Sequence, residues 1–192
     1  MMKFAPRRWC LLLFVLAVAG LACGLGSKKD DLPQPPSGYI QPNEEASKRV
    51  QDNFNQSLQE ASGSRQFRFR VTNEEITSIV AMALQKRADI PFSEPQIWFT
   101  AGKIHMTGKV EGVVPTPLPA LIVAIPAVNS QGRLEVEISE ARMGSLDFPE
   151  GVIENLTQTI NETLADLQLN IEVTAIEVLE GEMLVAGKRI NQ

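Results

Sequence analysis

The stretch that decides the fold reads ALIVAIPAV (120–128), NSQG (129–132), RLEVEISEARM (133–143). Its last part alternates: Leu134, Val136 and Ile138 fall on one side of an extended chain, Glu135 and Glu137 on the other. Successive side chains of a strand point to opposite faces, so this is a strand with one face buried and one in water. Asn129 to Gly132 supplies the residue types that reverse a chain between two strands. The first part has no polar parity, and only Pro126 interrupts its apolar run from Ala120 to Val128. Nine residues are too few to cross a bilayer as a helix, which needs about 20. It reads instead as a strand covered on both faces. One layer of helices accounts for one face. The other calls for a second apolar layer, a partner, or an acyl chain lying in a curved sheet; a central strand of an ordinary two-layer core has the same pattern.

Outward from this hairpin the periodicity changes several times. Lys103 to Glu111 places Ile104, Met106 and Val110 on one side and Lys103, His105, Thr107 and Lys109 on the other. A tight turn at Ala101-Gly102 joins it to a strand over Gln96 to Thr100, and Pro115 to Pro119 forms an irregular break. QFRFRV (66–71) alternates Phe67, Phe69 and Val71 against Arg68 and Arg70. Thr72-Asn73-Glu74-Glu75 then has the pattern of a capping box, in which hydroxyl and carboxylate satisfy each other's backbone amides. The helix it opens carries Ile76, Ile79, Val80, Ala83 and Leu84 on one stripe and stops before Pro91. Upstream, Ala46, Val50, Phe54 and Leu58 recur every fourth residue, which predicts an amphipathic helix from Asn43, its N-cap, to Ala61. Downstream, Val152, Ile153, Leu156, Ile160, Leu164 and Leu167 mark a helix over Pro149 to Leu167. Leu169 to Leu179 and Glu182 to Arg189 close the chain as a hairpin around Glu180-Gly181. The order is helix, strand, helix, four strands, helix, two strands: an α+β domain of antiparallel hairpins with helices laid on one face.

The N-terminus decides the compartment. Lys3, Arg7 and Arg8 precede an uncharged run from Trp9 to Ala22, the layout of a secretory signal. The run ends in Gly20-Leu21-Ala22-Cys23-Gly24, which is similar to the lipobox of bacterial lipoproteins, with Gly20 standing where that pattern usually carries Leu. Lipidation of Cys23 would hold the protein on a bilayer, since each buried acyl CH₂ contributes about 0.8 kcal/mol. Cleavage at Ala17-Val18-Ala19 would release it instead, and an uncleaved Trp9 to Leu25 would remain as a short transmembrane anchor. All three export the domain. The expected place is the outer face of the cytoplasmic membrane in a bacterial envelope, with the membrane contacted through the N-terminus. Ser27 to Pro42, with four prolines, reads as a tether. The expected organisation is a signal or anchor over 1–23, a Pro-rich tether over 24–42 and a single domain over 43–192.

Three of the 18 basic residues lie before Cys23 and none of the 23 acidic ones does, so the remainder carries 15 against 23, a formal −8. That balance argues against a nucleic-acid partner. Cys10 and Cys23 are the only cysteines, so the domain has no disulfide framework, thiolate nucleophile or Cys-ligated metal. The single histidine, His105, sits on the polar parity of its strand and reads as solvent-facing. Trp98 faces opposite to Ile97 and Phe99, where it can cover a sheet edge or anchor at a membrane interface. Arg68 and Arg70 form a small basic pair that suits cross-strand pairing with outward glutamates, or contact with lipid head groups. Asn155 and Asn161 match a glycosylation pattern, but inside a predicted helix. No phosphate loop, nucleophile elbow or calcium loop is present, and no cofactor is implied.

The order of motifs carries a resemblance. V-T-N-E-E-I (71–76) opens a helix, S-E-P-Q-I (93–97) enters a strand, G-K-I (102–104) makes a turn, an apolar hairpin follows, and E-G-E-M (180–183) joins the last strands. Across residues 66–190 this resembles the LmeA-like family of exported phospholipid-binding proteins and lipoproteins of the tubular lipid-binding type. The resemblance implies a curved antiparallel sheet wrapped around a long helix. The expected fold here packs that sheet on two main helices, and the added N-terminal helix at 43–61 departs from the family's simplest form. The resemblance also implies an apolar groove for phospholipid acyl chains and no catalytic residues. Leu121, Val123 and Ile125 are its lining candidates on the strand, with Ile79, Ile153 and Leu156 on the helices. The expected function is holding or passing single phospholipids. The rival from another class is an assembly module, in which the 43–61 helix or the two-sided apolar strand meets a protein partner. An enzyme would need a polar cluster that the pattern does not supply.

Overall fold

A computed structural model describes residues 32–61, 65–86, 92–112, 115–148, 150–167 and 171–190. The expected signal or anchor, Cys23 and the first part of the tether lie outside the described residues. Helix α1, Glu44–Glu60, starts at Asn43, whose side-chain oxygen accepts from the Ala46 amide at 2.7 Å. Strand β1, Gln66–Thr72, runs into α2, Asn73–Gln85, through the expected capping box: the Glu75 carboxylate accepts from the Thr72 amide at 2.9 Å. Strands β2, Phe92–Thr100, and β3, Lys103–Val110, are joined by Ala101 and Gly102, both left-handed at φ 48° and 79°. Two such residues give a turn whose twist matches the strands, which a Gly at the second position makes easy. Then come β4, Leu118–Val128, β5, Leu134–Met143, a two-residue β6, Leu146–Asp147, helix α3, Glu150–Leu167, and the closing hairpin β7, Ile171–Val178, with β8, Glu182–Arg189. The class is α+β, and β6 is the one element not anticipated.

The strands form two antiparallel sheets, β2-β3-β4-β5-β6 and β1-β8-β7. Bulges at Ser93/Gln96, Val123/Ala124 and Val173/Ala175 bend them, since an extra residue on one strand increases local twist. Register sorts the larger sheet into two faces. Phe99, Ile104 and Ala124 lie in one row and Ile97, Met106 and Ile122 in the next; together they define the Phe99 face. Trp98, His105 and Val123 share a row on the opposite, Trp98 face, beside Gln96, Thr107 and Leu121.

Helices protect both margins of this sheet. Along β2, the Thr77 hydroxyl accepts from the Ile97 amide at 3.0 Å and donates to the Ile97 carbonyl at 2.9 Å, and Asn73 accepts from the Phe99 amide at 2.8 Å. Along β5, the Asn161 amide closes on Val136 with bonds of 2.8 and 2.9 Å. An unpaired edge strand presents donors and acceptors to any passing chain, and these clasps satisfy them. The clasp also explains why α2 buries Glu75, Thr77, Ser78 and Ala81 while its apolar Ile76, Ile79, Val80 and Leu84 stay half-buried. Among the described residues one buried cluster gathers Val50, Val71 and Phe99, ringed by Phe69, Ile76, Ile79, Ile104, Val178 and Met183. Phe54 of α1 meets Phe69 edge-on at 5.3 Å, so the α1 stripe is spent on the chain's own core.

The tether reading is corrected over its second half. Pro35 and Ile40 are buried, and Ile40 is held by a reciprocal clasp: its amide donates to Gln96 Oε1 at 2.7 Å and its carbonyl accepts from Gln96 Nε2 at 3.0 Å. The folded unit therefore begins at Leu32, not near residue 43. Proline content signalled a solvated spacer, yet a rigid extended segment also loses little entropy when it docks.

Candidate functional site

Between its clasped margins the Phe99 face is apolar throughout β3 and β4. Ile104 and Met106 of β3 and Ile122, Ala124, Pro126 and Val128 of β4 are each half-buried. The margins differ: Ile97 and Phe99 on β2 and Val136, Ile138 and Ala141 on β5 are buried. Helices that grip the edges seal what lies under them and leave the middle of the face partly open. A half-open strip without a polar group offers burial and nothing else, which is the chemistry of an apolar ligand.

The structure does not gather the lining candidates read from sequence. Leu121 and Val123 are 2% and 4% exposed on the Trp98 face, and Ile125, of the same parity, is 38% exposed. Ile79 lies instead in the cluster around Phe99, and Ile153 is half-buried on α3. The Leu156 side chain is outside the described residues. Sequence reading missed Met106, Ile122 and Ala124. The inward parity of Ile104 and Met106 was visible; carrying it into β4 required the register, which the irregular Pro115 to Pro119 connection conceals.

On the Trp98 face, Trp98 belongs to β2, the outermost strand of its sheet. Trp98 is 2% exposed, and His105 stacks on it with centroids 5.2 Å apart and planes 10° from parallel. Trp98 is therefore closed to a membrane interface, while His105 is half-buried beside the buried Thr107. Burial, and then the charge of Lys103, pull the His105 pKa below its ordinary value; Glu140 and Glu180 oppose them. Its Nδ1 has no hydrogen-bond partner; the buried Nε of Arg142 lacks one as well but is ion-paired with Glu140 at 3.3 Å. On the outer side of the smaller sheet, Arg70 pairs with Glu182 at 3.2 Å, as expected of outward charges. A hollow of about 360 Å³ there is lined by Arg68, Arg70, Glu177 and Leu184. Among the described residues, no group of three or more His, Cys, Asp or Glu side chains is placed to hold a metal ion. No family model, curated protein or solved structure matches this chain, so the likeness to the LmeA-like family stands on its sequence motifs alone.

Proposed function

We propose that this protein is an exported, membrane-held phospholipid-binding protein that lays an acyl chain along the Phe99 face. The observation that carries the reading is the half-open apolar strip with sealed margins. From Ile122 to Val128 the half-open part of β4 runs about 20 Å at about 3.3 Å per residue, and Ala120 beyond it is buried. A bilayer core of about 30 Å holds two chains end to end, so one chain fits with room to spare. Each CH₂ removed from water contributes about 0.8 kcal/mol, and no reactive group is required.

Native mass spectrometry of the purified full-length chain tests this. Wild type should retain one phospholipid, and Ile122→Asp should lose it with the same circular dichroism spectrum. Met106→Gln is the milder control, expected to lower occupancy several-fold. A lipid-free wild type that self-associates would sink the proposal in favour of an assembly module.

A further inference from the structure

At one end of the five-stranded sheet the β5–β6 turn closes on β4, the Gly144 amide donating to the Pro119 carbonyl at 2.6 Å. Apolar side chains stand exposed there among Thr116, Ser145 and Asp147. Leu146 is 66% exposed, more than Tyr39, Ile125 or Ile190. Pro115 and Pro117 are exposed as well, with Leu118, Met143 and Phe148 half-buried behind them. Leu118 pairs with Val110 and Met143 with Ala120, so this lip continues the Phe99 face without a polar break. Toward the opposite end Ser130 and Gln131 stand exposed in the β4–β5 turn, with Ile125 and Ala127 exposed on β4 before it.

Charge narrows what the lip can meet. The neighbouring cations are engaged, Lys109 with Glu94 at 2.7 Å and Arg142 with Glu140 at 3.3 Å, while Glu111 and Asp147 are exposed. An anionic surface would gain nothing here; an apolar interior would. Chain length brings such an interior close. With the segment from Leu32 docked, only residues 24–31 separate Cys23 from the folded unit, a span of at most about 30 Å. A tether reaching Pro42 would have allowed roughly 65 Å.

We infer that Pro115, Pro117 and Leu146 dip into a bilayer surface of neutral lipid, and that this lip is the mouth through which an acyl chain reaches the Phe99 face. The inference rests on the acyl-chain reading and on a membrane-held N-terminus.

The test places tryptophan at each end of the sheet. Full-length Leu146→Trp and Gln131→Trp chains are reconstituted in phosphatidylcholine vesicles with plain or brominated acyl chains, and wild-type emission from Trp9 and Trp98 is subtracted. Emission added at position 146 should fall at least twofold on bromination, and emission added at 131 should not change. Equal quenching at both ends, or none at 146, overturns the inference and leaves the lip to a protein partner. Native mass spectrometry of the same chains separates the two ideas. A quenched but lipid-free Leu146→Trp chain upholds docking and overturns the acyl-chain reading; a lipid-loaded, unquenched one does the reverse.

Discussion

His105 shows how one residue's environment is set by its neighbours across the sheet. It stacks on Trp98 with an unpartnered Nδ1, and burial, then Lys103, pull its pKa below the ordinary value against the opposing pull of Glu140 and Glu180. A folded-state pKa below the ordinary 6.5 means the unfolded chain binds the proton more readily. The neutral histidine's contribution is therefore intact above pH 6.5 and is lost as pH falls toward and through the folded-state value. The urea midpoint of the wild type should drop between pH 7.5 and 5.5 by more than that of His105→Phe, which keeps the stack and removes the titration. Parallel profiles would mean that His105 is solvated after all. Its polar parity was legible in the sequence; the cover over that parity was not, because it comes from residues distant along the chain.

At the scale of elements, periodicity announced nearly everything. The helix starts at Asn43 and Thr72, the Ala101-Gly102 turn and the alternating β5 all follow from local chemistry, and each has its expected bonds or conformation. The edge clasps were hidden. Thr77 looks like an ordinary helix residue and Asn161 like a glycosylation acceptor, yet each closes both backbone groups of one edge residue. Leaving a buried backbone donor or acceptor unpaired costs about 1–3 kcal/mol. Thr77→Val, nearly isosteric, should destabilise by roughly 2–3 kcal/mol in urea, whereas Thr77→Ser should lose less than about 1 kcal/mol. Equal stability of the valine variant would show that water replaces the clasp.

For the whole molecule, the docked segment 32–42 alters what counts as the domain. A chain begun at residue 43 should unfold at a lower urea midpoint than one begun at residue 32, by roughly 2 kcal/mol, because Ile40 and Pro35 lose their burial. Gln96→Ala in the full chain should reproduce most of that loss by leaving the buried Ile40 amide and carbonyl unpaired. Indistinguishable midpoints would return the segment to the role of a tether. By itself the sequence determined the α+β class, the order of elements and their inward and outward parities, because helical and strand periods are local properties of the chain. The tertiary structure alone decided that the strands divide into two sheets and that even-numbered β4 residues line the half-open face. It also decided that a proline-rich stretch is part of the fold. Each of these depends on register or on contacts between residues far apart in the chain, and no local pattern encodes them.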